Sequence, residues 1–162
     1  MGTGVIVGKN VQLGKDVVVW NYVVIGDNTK IEDGTRIGSF VDIGKEVAIG
    51  KNCNIQTHVT ISNGCHIGNN VFIAPNSTLL NDRFPVSERL TPPVIEDDVV
   101  IGGCVVILPN VIVGKKAVVA AGSVVTKDVA SSTVVKDVPA RPMMRREEYE
   151  AKKKAYVCGK KR

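Results

Sequence analysis

Ile25-Gly26-Asp27-Asn28-Thr29-Lys30 is followed directly by Ile31-Glu32-Asp33-Gly34-Thr35-Arg36 and then by Ile37-Gly38. The same six-residue rhythm places an aliphatic residue at Val7, Leu13, Val19, Ile25, Ile31, Ile37, Ile43, Ile49, Ile55, Ile61, Ile67 and Ile73, with Leu79 next. A run this long without a slip is an internal repeat. Counting each hexad from its aliphatic residue, the fifth position is small or β-branched: Val11, Val17, Val23, Thr29, Thr35, Val41, Val47, Cys53, Val59, Cys65, Val71, Ser77. The fourth position carries Asn10, Asp16, Asn28, Gly34, Asn52, Gly64, Asn70 and Asn76, residue types that tolerate a left-handed backbone. Two inward positions per six, separated by a corner, describe a short strand, a turn and another short strand. Three hexads close a triangle of 18 residues, and successive triangles stack at the strand spacing of ~4.8 Å. Aliphatic residues six apart share neither the face of an α-helix nor the seam of a coiled coil, whose mean spacing is about 3.5.

The rhythm stops after Leu79 and resumes at Ile95, Ile101, Ile107, Val113, Val119 and Val125. Leu79 and Ile95 are not separated by a multiple of six, so residues 80–94 form an extruded loop. The nineteen hexads make about six coils. A Ser- and Pro-punctuated stretch from Ala130 to Pro142 is expected to end the solenoid. Met144 to Val157, rich in Arg, Glu, Lys and Ala, predicts a helix with Glu148/Lys152 and Glu150/Lys154 pairs, capping the last coil. The expected division is a solenoid over 1–142 and a basic helical tail over 143–162.

Of the net charge of +5, residues 141–162 hold nine Arg or Lys against three Glu. The body is thus near neutral, with no basic stripe and no interleaved aromatics, which excludes a nucleic-acid binder. No apolar run reaches membrane-spanning length, and Met1 to Ile6 lacks the pattern of a signal peptide, so a cytoplasmic enzyme is expected. Cysteine spacings of 12, 39 and 54 match no zinc or redox motif; Cys53 and Cys65 fall inward, and Cys104 falls at a corner. The sixth-position residues Val18, Val24, Phe72, Val100, Val106, Ile112, Val118 and Val124 point outward, and apolar walls of this kind predict an oligomer.

Chemistry is expected where the repeat is interrupted. Asn81 and Asp82 open the loop with side chains able to bind a sugar hydroxyl or amine, while Arg83 and Arg89 could meet a phosphate. A plain Asn-Asp corner with solvated arginines is the structural alternative. His58 stands at a fourth position, where neighbouring hexads carry Asn or Gly, and imidazole exchanges protons near neutral pH. His66 lies at an outward position and reads as surface.

From Val7 to about Arg141 the chain resembles the hexapeptide-repeat acyltransferases, whose fold is a left-handed parallel β-helix. The resemblance implies a homotrimer with acetyl-coenzyme A held in a groove between neighbouring subunits. Ile101-Gly102-Gly103-Cys104 and Ala120-Ala121-Gly122-Ser123 look like the coenzyme side of that family. Gly103 and Ala121 would then present backbone to the pantetheine arm, with Lys127 and Arg141 near the nucleotide. Lys51-Asn52-Cys53-Asn54-Ile55-Gln56-Thr57-His58 and Leu79-Leu80-Asn81-Asp82-Arg83-Phe84-Pro85 are similar to N-acetyltransferases acting on the 3-amino group of UDP- or dTDP-linked sugars. That group implies a sugar pocket around Asn81, Gln56 and His58, and direct attack of the amine on the thioester. The family's Gly-Asn or Gly-Val before Pro-Ala-Arg is replaced here by Asp137-Val138, which expects a differently shaped end to the coenzyme site. Met1 to Ile6 hold no helical or Rossmann-like domain, so neither a serine acetyltransferase nor a relative that binds sugar nucleotides through such a domain is expected. Two histidines are too few for the zinc site of the γ-class carbonic anhydrases. An O-acetyltransferase on a sugar or small alcohol, and a non-catalytic trimeric scaffold, are the alternative functions.

Overall fold

The computed structural model describes residues 1–158. Nineteen two-residue strands run in chain order from β1 (Ile6–Val7), β2 (Gln12–Leu13) and β3 (Val18–Val19) to β18 (Val118–Val119) and β19 (Val124–Val125). Up to β16 each pairs in parallel with the strand three places on, so the chain winds through three sheets in turn. The β1 sheet has seven strands, the β2 sheet six and the β3 sheet eight. The result is a left-handed parallel β-solenoid of about seven coils with a short C-terminal helix.

Seven coils, against the six expected, arise because Thr133–Lys136 forms β20 beside β18, and Val129 bridges to Val113. The hexad pattern fades there although the coil continues. The chain then reverses into β21 (Arg141–Arg145), antiparallel to β20, and enters α1 (Arg146–Cys158). The division expected after Pro142 therefore falls inside a strand. The free edge of β20 is covered by β21, which removes one unpaired row of backbone groups, and α1 packs on both. Within α1, Lys152 meets Glu148 at 2.7 Å as expected; Glu150 instead pairs with Arg146 at 2.8 Å.

Register is strict. Ile25 lies beside Ile43 and Ile37 beside Ile55, so each first-position side chain stacks on its copy one coil away. Ile25 through Ile73, Leu79, Ile95 and Ile101 are all at most 1% exposed. Each such burial contributes roughly 1.5–3 kcal/mol. Across the insertion Ile67 still lies beside Ile95, so the extra ten residues leave the ladder undisturbed.

Polar fifth-position residues are absorbed by the same geometry. Thr29, Thr35 and Ser77 donate to the carbonyls of Gly44, Gly50 and Gly102 at 2.9, 2.8 and 2.9 Å, one coil on. Ser123 is wholly buried, and its hydroxyl has no partner, because no regular coil follows to supply the carbonyl. Among the described residues no helix is long and apolar enough to cross a membrane.

Candidate functional site

The three vertical edges of the prism differ chemically. At two of them, third-position Asx side chains staple the coils. Asp27 accepts from the Lys9 amide at 2.7 Å and Asn63 from Lys45 at 2.8 Å on one edge; Asp33 and Asn69 serve Lys15 and Lys51 at 2.8 Å on another. These backbone donors hold the carboxyls of Asp27 and Asp33 below the usual range for Asp, the nearby lysines adding to the effect. The third edge, between the β3 and β1 sheets, begins the same way with Asn21 and Ser39 accepting from Thr3 and Asn21, and then changes character.

Above Ser39 on this edge come Thr57-His58, Pro75-Asn76, Gly103-Cys104 and Ala121-Gly122. Their alignment is recorded by backbone bonds: His58 donates to Ser39 at 3.1 Å, Asn76 to Thr57 at 3.2 Å, Cys104 to Pro75 at 2.9 Å and Gly122 to Gly103 at 2.8 Å. His58, Gly103 and Ala121 thus share one edge, two of them being coenzyme residues implied by the family pattern and one the candidate base. No Asx staple follows, so the amides of Thr57, Gly103 and Ala121 donate to no group among the described residues. With Ala121 exposed and Thr57 and Gly103 half-buried, donors without a protein partner are left for solvent or a ligand acceptor. Glycine at 102 is demanded by packing, since a Cβ there would meet the Ala121 nitrogen at 2.5 Å. Glycine at 103 is not, since a Cβ would touch only the Pro75 carbonyl, at 3.4 Å.

Below His58 the edge is aromatic. Tyr22, Phe40 and His58 occupy successive corners with φ of 56°, 59° and 58°. Their rings stack at centroid separations of 5.3 and 4.9 Å. His58 Nδ1 lies 2.8 Å from Thr57 Oγ1, whose hydroxyl donates to the Ser39 carbonyl at 2.7 Å. Gln56, half-buried beside the same corner, donates from Nε2 to Asn54 at 2.6 Å. The aromatic pair and Thr57 are additions to the residues expected from sequence, and Tyr22, Phe40 and His58 carry the one signal that marks them, a spacing equal to the coil length.

Asn81 sits on a different edge, between the β1 and β2 sheets. Its Nδ2 donates to the Asn63 carbonyl at 3.0 Å, one coil down, and its carbonyl accepts from the Thr91 amide at 2.7 Å. Within one chain the width of the β1 sheet therefore separates Asn81 from His58. Asp82 is committed to shaping the loop: it accepts from the amides of Phe84 and Ser87 at 3.0 and 2.9 Å and from the Ser87 hydroxyl at 2.9 Å. Those donors, the Ser87 amide first, lower its pKa. Arg83 lies over Phe84 at 5.8 Å. Arg83 and Arg89 line a pocket of ≈ 380 Å³ with Thr91 and Asn110. Asp82, Arg83 and Lys127 meet around a second, of ≈ 530 Å³. Lys127 and Arg141 share a cleft of ≈ 790 Å³ between the last coil and β21. The predicted residues thus fall into an edge set (Gln56, His58, Gly103, Ala121) and a loop-and-end set (Asn81, Asp82, Arg83, Arg89, Lys127, Arg141).

The sequence matches the model for the bacterial transferase hexapeptide (six repeats) over residues 28–63, 49–81 and 92–127. The chain belongs to the hexapeptide-repeat family. Residues 4–39 also match the hexapeptide repeat of succinyl-transferase. A Staphylococcus aureus 2,3,4,5-tetrahydropyridine-2,6-dicarboxylate N-acetyltransferase is 48% identical over 68 residues, which is 42% of this chain and 28% of that protein. The chain therefore spans under a third of the curated relatives it matches. Among solved structures, an Arabidopsis UDP-N-acetylglucosamine acyltransferase superposes with a TM-score of 0.62 at 17% identity, covering 94% of this chain and 75% of that one. A hexapeptide-repeat containing acetyltransferase from Vibrio cholerae is 30% identical, over 83% of this chain and 73% of that one, with a TM-score of 0.43. The superposition supports the solenoid, and the repeat model supports the family.

Proposed function

We propose that this protein transfers an acetyl group from acetyl-coenzyme A to the amino group of a nucleotide-linked amino sugar, in a cleft between subunits of a homotrimer. The observation that carries the reading is the shared edge of His58, Gly103 and Ala121, with unpaired amides at the last two. A pantetheine arm has amide carbonyls that the Ala121 amide can hold. The thioester would then lie along the edge toward His58, and the Gly103 amide could receive the oxyanion that develops on attack. His58 would accept the proton lost by the attacking amine. Lys127 and Arg141, in the cleft at the end of the solenoid, suit the phosphates of the coenzyme, and Arg83 and Arg89 suit those of the sugar nucleotide.

A trimer would reconcile the two residue sets. A partner's loop edge could face the His58 edge, bringing Asn81 to a sugar that its own His58 does not reach. The name of the Arabidopsis acyltransferase agrees with a nucleotide-linked sugar as acceptor, though the nitrogen of that sugar is already acetylated and so does not speak for a free amine; that of the Staphylococcus aureus relatives points to a different N-acetyl acceptor, a dicarboxylate. The test is release of free thiol from acetyl-coenzyme A over a panel of UDP- and dTDP-amino sugars, with tetrahydrodipicolinate and plain sugar alcohols as competing acceptors. Turnover confined to amino sugars supports the reading. Turnover confined to alcohols, or to the dicarboxylate, overturns it, and failure of the protein to bind coenzyme A leaves only the scaffold.

A further inference from the structure

We infer that Thr57 is a positioning residue that holds neutral His58 in its Nδ1–H tautomer, leaving Nε2 as the nitrogen that can accept a proton. Only the catalytic consequence rests on the proposed acetyl transfer; the tautomer itself follows from hydrogen-bond directions. The Ser39 carbonyl can only accept, so the 2.7 Å contact from Thr57 Oγ1 commits the single hydroxyl proton to it. The 2.8 Å contact between that oxygen and His58 Nδ1 then requires the proton between them to come from the ring. Ser39 anchors the corner twice, because its carbonyl also accepts from the His58 amide at 3.1 Å.

Stacking fixes the second coordinate of the ring. Phe40 lies against His58 with planes 26° apart, and Tyr22 supports Phe40 at 15°. The column begins on Gly4, where a Cβ would strike the Tyr22 ring at 2.6 Å, so the lowest ring needs a bare glycine beneath it. The imidazole is therefore held through one face and one nitrogen while remaining exposed. An exposed base with its outer nitrogen deprotonated is the arrangement that general-base chemistry needs, and the wrong tautomer would offer a donor there instead.

The ring nitrogens can be read directly. In protein labelled with 15N-histidine, the two histidines give separate imidazole patterns, assigned with His66→Asn, at a pH where both rings are neutral. His66 has no ring hydrogen bond among the described residues and serves as internal reference. For His58 the protonated, pyrrole-type signal is expected on Nδ1 in the wild type and in Thr57→Ser. Thr57→Val should shift the tautomer ratio about fivefold toward Nε2–H, the value of one ordinary hydrogen bond. It should also lower kcat on the amino sugar with KM for acetyl-coenzyme A unchanged, and Thr57→Ser should restore it. Phe40→Ala should erase the ring-current shift of the His58 carbon-bound protons. A wild-type spectrum with Nε2 protonated, or a ratio that Thr57→Val does not move, overturns the inference, and the wild-type spectrum decides even if a variant fails to fold. A correct tautomer in a protein that transfers no acetyl group would instead overturn the proposed reaction and leave the positioning intact.

Discussion

Residue by residue, the prism separates scaffold from chemistry by where a side chain falls in the hexad. Cys53 and Cys65 occupy inward slots and are buried, while Cys104 is exposed at the His58 edge. Burial pushes the Cys65 thiol up to about 12 from 9.0. A raised folded-state pKa adds stability that is complete below pH 9 and is lost as pH rises toward 12, because the unfolded thiol ionises first. Unfolding followed from pH 8 to 12 should show this decline, and Cys65→Ala should flatten it. At neutral pH, Cys104 alone of these three should react with a thiol reagent in the native state. His58→Asn places at the corner a residue type that other corners use, so the fold should survive. Turnover should fall by about 10²–10⁴ if His58 is the base, with thermal stability unchanged. A drop of less than tenfold would leave the amine arriving neutral and His58 only orienting it. Tyr22 and Phe40 are bulky residues held at positive φ, a conformation costing on the order of 1–3 kcal/mol each. Their mutual stacking offsets part of that cost.

Among the elements, the corners matter more than the strands. Two-residue strands make few bonds of their own, so the Asx staples add rungs where the ladder is thinnest. Asn21, Asn63 and Asn69 fill the same role as Asp27 and Asp33, which makes Asp27→Asn a conservative exchange and Asp27→Ala the disruptive one. Thermal melts should rank Asp27→Ala below both others. The folded carboxylates of Asp27, Asp33 and Asp97 titrate below their unfolded value, so their contribution is present above about pH 4 and fades as pH falls through the folded pKa. Asp27→Asn should lessen that acid sensitivity. On the His58 edge the staples stop at Ser39, and Gly103→Leu probes the stretch above it. Packing leaves room for its Cβ, so stability should hold, while KM for acetyl-coenzyme A rises by about tenfold or more, equivalent to about 1.4 kcal/mol of lost binding. An unchanged KM would place the coenzyme elsewhere.

At the scale of the whole molecule, outward apolar side chains remain uncovered. Val18, Val24 and Ile112 are 43%, 40% and 45% exposed, one on each face, and Phe84 and Val86 protrude from the loop. A proposed trimer would bury such faces. Light scattering with size exclusion should return three chains per particle at micromolar concentration, and Val24→Glu or Ile112→Glu should dissociate whichever contact it enters. A monomeric wild type would remove the inter-subunit cleft from the proposed function. Val118 departs from the outward pattern at 4% exposure, because its strand is flanked by β20 with β21 and α1 packed at that end.

The hexad alone determined the coil, the burial of Ile25 to Ile101, the inward cysteines, the corner position of His58 and the loop after Leu79. Each follows from a local period, and a repeat turns local period directly into address. The seventh coil escaped because β20 is held by pairing with β18, not by a sixth-residue aliphatic pattern. Which residues share an edge depends on the eighteen-residue register and on the ten residues that the loop adds to one coil. Only the tertiary structure therefore joined His58 to Phe40, Thr57, Gly103 and Ala121, and set Asn81 on another edge. It also decided the directions of hydrogen bonds: the carboxylate of Asp82 is turned into its own loop by the folding of that loop around it, and the hydroxyl of Thr57 toward Ser39 by the stacking of one coil on the next.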